Sequence, residues 1–257
     1  MNEFMQMFSL KGKVSLITGG GRGIGKGIAT VLASAGSDII LVSRTKSQLN
    51  ETAEEIRHTY HKEVLPICGD VCSFETHETI INESVRKYGK IDILINNAGA
   101  NIRKPFWDVT YEDYKELNDL HVTSTFFLSQ KVSQIMSENN YGKIVNLASL
   151  TSKIGIPSIS VYGTAKGAVF SLTKSLSVEL ASQNINVNAV APGYIHTSMT
   201  DPVFQDSQRC QSMLMRIPLK RFGSTQDIGY TVLFLCSQAA QYITGEVIFV
   251  DGGWMAS

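Results

Sequence analysis

Tyr162 and Lys166 lie four residues apart in VYGTAKGAVFSLTKSL, a spacing that projects both side chains from one face of a helix. A phenol with an ordinary pKa of about 10 is a poor base at neutral pH. A neighbouring ammonium would stabilise the phenolate and bring it toward the working range. Ser149, in NLASL, supplies a hydroxyl able to hold a substrate oxygen beside that phenol. Far upstream stands Thr18-Gly19-Gly20-Gly21-Arg22-Gly23-Ile24-Gly25, directly after an apolar run. Glycines there let the backbone turn sharply and approach a pyrophosphate, whose charge the amides and dipole of the following helix favour. A tight strand-to-helix turn explains a lone glycine cluster almost as well, so the chemistry rests on the whole set.

These residues sit at the ends of short, nearly continuous apolar runs: VSLIT (14–18), IILVS (39–43), VLPIC (64–68), IDILIN (91–96), KIVNLA (143–148), INVNAV (185–190) and VIFVD (247–251). Such runs suit strands buried on both faces of a sheet. Between them lie segments of helical length and period: Gly25–Ala35, Ser47–His58, Phe74–Tyr88, Asp113–Ser137, Val161–Ala181 and Thr225–Ser237. Strand alternating with helix predicts parallel strands joined by right-handed crossovers, hence an α/β doubly wound sheet with helices on both faces. In that architecture the ligand crevice lies beyond the carboxyl ends of the strands, where the reactive residues stand.

Composition narrows the function classes. Across 257 residues, Lys plus Arg and Asp plus Glu balance at 23 each, so no global field draws the chain to nucleic acid or an acidic membrane. No linker, repeat or low-complexity tract marks a second domain. No apolar run approaches the roughly 18 residues of a membrane span, and the opening MNEFMQMFSLKGK lacks a signal-peptide core, so the cytoplasm is expected. Cys68, Cys72, Cys210 and Cys236 show neither a disulfide framework nor a metal-ligand pattern and read as packing residues. No metal is expected.

The second apolar run ends at Ser43-Arg44, where an acidic residue would select NAD by accepting from its ribose hydroxyls. A hydroxyl and a guanidinium suit a 2′-phosphate instead, and Arg22 adds a second cation. NADP(H) is the cofactor this pattern predicts.

The Thr-Gly-x3-Gly-x-Gly turn, Asn96-Asn97-Ala98-Gly99, Ser149, Tyr162-x3-Lys166, Pro192-Gly193 and the terminal Val250-Asp251-Gly252-Gly253 together resemble the short-chain dehydrogenase/reductase family, in its order and over nearly the whole chain. The resemblance implies a single-domain Rossmann fold over 1–257 with a seven-stranded parallel sheet. Its cofactor half is about 1–150 and its catalytic and substrate-lid half about 151–257. It implies hydride transfer between the nicotinamide and a carbinol carbon, with Tyr162 moving the proton and Lys166 also binding the nicotinamide ribose. Asp70 and Val71 would contact adenine, and Asn97, Ala98 and Gly99 would line the ribose side. Ile195, through its backbone, and Thr197, through its hydroxyl, would dock the carboxamide.

One position departs from the family. In Leu120-His121-Val122-Thr123-Ser124-Thr125-Phe126, His121 stands where an Asn usually holds a water linked to the Lys. The imidazole is either satisfied by packing, or holds that water, or relays a proton itself.

Residues 194–222 correspond to the family's substrate lid, and Arg103 and Lys104 lie near the same mouth, which suits a carboxylate or phosphate on the carbonyl substrate. NIRKPF, RIPLKRFGSTQD and VDGGWMAS are similar to gluconate 5-dehydrogenases and their deoxyketogluconate-reducing relatives. VYGTAKGA and FLCSQAAQYITGEVIFVDGG are equally similar to tropinone reductases, and acyl-carrier-protein ketoreductases are a third candidate. EVIFVDGGWMAS resembles the subunit contact of the family's homotetramers. A reading from a different class is a dinucleotide-binding redox sensor without turnover, which would have no need of Ser149, Tyr162 and Lys166 together.

Overall fold

The computed structural model describes residues 3–197, 200 and 207–257. Seven strands, β1 (Val14–Thr18), β2 (Asp38–Ser43), β3 (Val64–Cys68), β4 (Ile93–Asn96), β5 (Gly142–Leu147), β6 (Ile185–Pro192) and β7 (Val247–Val250), form one sheet. Their order is β3-β2-β1-β4-β5-β6-β7 and every neighbouring pair is parallel. The helices are α1 (Glu3–Gln6), α2 (Gly23–Ser34), α3 (Lys46–Tyr60), α4 (Phe74–Tyr88), α5 (Tyr111–Asn118), α6 (Ser124–Glu138), α7 (Ser160–Leu180), α8 (Ser207–Arg216) and α9 (Thr225–Cys236). The doubly wound α/β fold is the one the alternating pattern predicts.

Adjacent strand residues point to opposite faces, so one apolar run feeds two cores. Ile17, Leu41, Ile95 and Val145 pack with Ile28 and Leu32 of α2 and Ile228 and Val232 of α9. Their neighbours Leu16, Ile40, Leu94 and Ile144 pack with Leu128, Val132 and Met136 of α6. Two-sided burial holds in the middle of the sheet and fails at its edges. β3 has β2 as its one neighbour and exposes Cys68, and it tolerates Pro66 because an edge strand can spare an N–H. β7, at the other edge, buries Val247 fully and the rest in part. Cys68 and Cys72 are likewise exposed, contrary to their reading as packing residues, and Cys236 alone of the four is buried.

The connections from β1 and β4 run to opposite sides, so a crevice opens above their carboxyl ends. The largest departure from expectation lies beside it. The segment expected as one helix over Asp113–Ser137 is α5 and α6 joined by a π turn at Asp119–Thr123. Neither Gly nor Pro occurs in DLHVT, so nothing in the residue types marks the wider turn. Such turns concentrate at functional sites, and this one carries His121.

Candidate active site

The glycine turn bridges the end of β1 and the start of α2. Gly19 has φ of +66°, and a Cβ on Gly25 would stand 2.2 Å from the Gly19 carbonyl oxygen, so no larger residue fits there. Thr18 ties this turn to the end of β4: its Oγ1 accepts from the Asn97 and Ala98 amides, both at 3.0 Å, while Asn97 Nδ2 donates to the Thr18 carbonyl at 2.8 Å. Arg22 is the N-cap of α2 and offers no side-chain cap, leaving the first amides of the helix facing the cleft.

Every residue named above for catalysis or cofactor binding lines this one cleft, from the glycine turn at one end to Tyr162 and Lys166 at the other, with the exception of Arg103. Arg103 is exposed and donates from Nη1 to the Pro157 carbonyl at 3.2 Å, and Lys104 is paired with Asp113 at 2.7 Å. The first bond fastens the loop after β4 to the loop before α7, and the second ties it to α5. They do not bring either cation to the cleft wall.

At the end of β2, in the same cleft, the Ser43 hydroxyl is buried with no hydrogen-bond partner. A buried hydroxyl without a partner is costly, so a group that accepts its proton fits here. The Arg44 guanidinium is 73% exposed and stands 3.8 Å from the Asp70 carboxylate. Arg22 and Arg44 thus flank an unfilled donor, an arrangement that fits a ribose 2′-phosphate. Thr45 and Gln48, at the start of α3, also line this end. The polar side chains that follow Ser43-Arg44 are the signal by which the sequence marks them.

At the other end β5 delivers Ser149 and α7 delivers Tyr162 and Lys166. The register of α7 is set by a chain of buried amides: Asn96 Nδ2 donates to Asn146 Oδ1 at 2.8 Å, and Asn146 Nδ2 donates to Thr173 Oγ1 at 3.0 Å. Polar Asn residues inside the apolar runs of β4 and β5 were the available sign of that chain. Ser152 Oγ links the two catalytic elements, accepting from the Ser149 amide and donating to the Lys166 carbonyl at 2.9 Å.

Ser149 Oγ accepts from the Thr151 amide at 3.2 Å, so its own proton is left to donate. Burial raises the Tyr162 phenol above its ordinary value, and the hydrogen bond from Ser149 works the other way by favouring the phenolate. Lys166 is buried, donates from Nζ to the Leu147 carbonyl at 2.6 Å, and stands 5.6 Å from the centre of the Tyr162 ring. Burial brings its ammonium down to about 7. At neutral pH a protonated phenol therefore stands beside a lysine near its midpoint.

His121 is 2% exposed and its Nε2 stands 2.8 Å from the Ala100 carbonyl oxygen. A carbonyl only accepts, so Nε2 carries the proton and Nδ1, buried without a partner, is a bare acceptor. Ile195 and Thr197 also line the cleft, held by Thr200 Oγ1, which donates to the Ile195 carbonyl at 2.7 Å and accepts from the Thr197 amide at 3.0 Å. No residue pattern announced Thr200.

Residues 19–255 match a family model described as enoyl-(acyl carrier protein) reductase. The chain is 41% identical to the 2-dehydro-3-deoxy-D-gluconate 5-dehydrogenase of Bacillus subtilis, covering 100% of both. It is also 41% identical to the 3-oxoacyl-acyl-carrier-protein reductase of Aquifex aeolicus over 95% of the chain and 98% of that protein. Among solved structures, a gluconate 5-dehydrogenase from Burkholderia cenocepacia, in complex with NADP and tartrate, matches with a TM-score of 0.95 at 32% identity, covering 99% of this chain and 100% of that one.

Proposed function

From the fact that the chain belongs to the short-chain dehydrogenase/reductase family and interconverts a ketone and a secondary alcohol, we propose that it is an NADP(H)-dependent oxidoreductase acting on a sugar acid. The observation that carries the reading is the shared cleft: Ser149, Tyr162 and Lys166 stand in the same crevice as the glycine turn and the unpartnered Ser43 hydroxyl. A bound nicotinamide would supply or take up the hydride at the carbinol carbon. In the reducing direction Ser149 donates a hydrogen bond to the carbonyl oxygen and Tyr162 delivers the proton to it. Lys166, held by the Leu147 carbonyl, stabilises the phenolate left behind and binds the nicotinamide ribose hydroxyls.

The NADP(H) preference rests on Ser43, Arg44 and Arg22. The sugar-acid class is supported by the relatives' printed activities and by the tartrate in one structural relative. Arg103 stays with the substrate in this reading, reaching a carboxylate from the rim. A 3-oxoacyl thioester is the second reading, favoured by an acyl-carrier-protein reductase at equal identity. We further expect a single domain, a cytoplasmic location and a homotetramer. No described helix is long and apolar enough to cross a membrane.

The test is absorbance at the reduced-nicotinamide band with NADPH and with NADH across 5-ketogluconate, a bicyclic ketone and a 3-oxoacyl thioester. Oxidation of NADPH by 5-ketogluconate in preference to the other two is the expected result. Binding of the cofactor with no turnover of any carbonyl would favour the redox sensor.

A further inference from the structure

The far end of the chain packs against the loop that follows Ser149. Trp254 is 5% exposed, and it packs with Met213 and Ile217 and with Leu150, the residue after Ser149. Its ring also lies edge-on to Tyr194, at 5.0 Å between centroids, and the Arg216 guanidinium sits over it at 4.2 Å. Tyr194 separates Gly193 from Ile195, both of which line the cleft.

The backbone of the preceding turn closes the same contact. Asp251 shapes it by accepting from the Gly253 and Met255 amides, each at 2.9 Å. The Leu219 amide donates to the Gly252 carbonyl at 3.1 Å, and Ser257 Oγ donates to the Arg216 carbonyl at 3.2 Å. Gly252 has φ of +66°, and a Cβ there would stand 2.7 Å from Ile217 Cγ2, so glycine is what lets the chain after α8 lie this close.

We infer that the turn Asp251–Trp254 is the seat of helix α8, and that Trp254 is a positioning residue that fixes the substrate wall of the cleft relative to Ser149. The inference rests on the proposed reaction for its kinetic readout alone. Met213 and Arg216 of α8, and Ile217 directly after it, pack at the indole. Removing the indole leaves the glycine turn, Arg44 and the adenosine end untouched, so the change should be felt by the carbonyl substrate and not by the cofactor.

The experiment compares the full-length wild type with Trp254→Ala and Arg216→Ala. Amide hydrogen exchange over residues 207–219 should speed up by about tenfold or more in Trp254→Ala, with β1 and β4 unchanged. For whichever of the three carbonyls is reduced, KM should rise about tenfold while kcat moves less than about threefold and NADPH affinity is unaltered. Arg216→Ala removes an exposed side chain, leaves the core intact, and should give the same pattern in weaker form, which serves if Trp254→Ala does not fold. Unchanged exchange over 207–219 in the folded variants would overturn the inference, as would equal losses in kcat, carbonyl KM and NADPH affinity. If no carbonyl is reduced the proposed reaction fails, and the exchange comparison still decides whether the turn seats α8.

Discussion

The imidazole of His121 stands edge-on to the phenol of Tyr162, with ring centroids 5.3 Å apart and planes at 81°. One edge of that imidazole is bonded to the Ala100 carbonyl, so the ring couples the loop after β4 to Tyr162. Burial, and next the charge of Lys166, bring its pKa down from 6.5 to about 3. His121 is consequently neutral at working pH and acts as a fixed donor and acceptor. A relay through the imidazolium finds no support in that environment.

Replacing His121 by Asn should keep most of the activity, since an amide can still donate to the Ala100 carbonyl. Replacement by Leu leaves that buried carbonyl unpaired, at about 1–3 kcal/mol, and should slow turnover by roughly tenfold or more. The pH dependence of stability carries an independent signature. Between pH 6.5 and about 3 the unfolded chain binds a proton that the native state refuses, so His121 lowers stability as the pH falls through that window. The Asn variant should lack this part of the acid limb in urea titrations at pH 6.5 and 4.5. Equal kcat for Leu and wild type would reduce His121 to packing.

Replacing Tyr162 by Phe removes the transferable proton and little else, because the ring still meets His121 and the helix is unchanged. Turnover should fall by roughly 10²–10⁴-fold or more, with NADPH affinity within about twofold of wild type. A Phe variant that keeps more than about a tenth of the rate would show that another group moves the proton.

Lys166 has its ammonium brought from 10.5 to about 7 by burial, so it binds fewer protons folded than unfolded across that range. Stability should accordingly rise with pH from about 7 toward 10, by up to about 1.4 kcal/mol per pH unit. Above pH 10 the raised Tyr162 phenol works in the opposite direction, which sets the upper limit of the window. The difference in urea midpoint between wild type and Lys166→Met isolates the lysine from other titrating groups. A difference that stays flat from pH 7 to 9 would mean that Lys166 remains charged in the free protein.

The cleft was largely legible in the sequence because each of its parts is a residue type at a strand end, and the alternating pattern fixes where strand ends gather. What escaped was set by contacts between segments distant in sequence. The π turn at Asp119–Thr123 adds a residue to a helical turn without altering composition, so periodicity carried the helix straight through it. The bond of Arg103 to the Pro157 carbonyl, which holds it at the rim rather than in the cleft wall, is likewise not foretold by its position after Asn-Ala-Gly. Thr200 is placed by its bonds to Ile195 and Thr197, and Trp254 by its packing on Leu150 and Tyr194, which no local pattern encodes.

Cofactor choice gives the sharpest quantitative prediction, because the Ser43 hydroxyl is buried without an acceptor while Arg44 reaches no closer than 3.8 Å to the Asp70 carboxylate. A 2′-phosphate would take the Ser43 proton and draw Arg44 from that loose, exposed pair, which contributes little on its own. A charge-assisted hydrogen bond contributes about 1.5–3 kcal/mol, so replacing Arg44 by Ala should weaken NADPH roughly 10- to 100-fold and leave NADH almost unaffected. Ser43→Asp together with Arg44→Ala should go further, since the carboxylate repels the phosphate and accepts from the free ribose hydroxyls of NADH. The measurement is kcat/KM for both cofactors in wild type, the single variant and the double variant. A wild type that already prefers NADH, or a double variant whose preference does not move, would sink the assignment of Ser43 and Arg44 as the residues that read the phosphate.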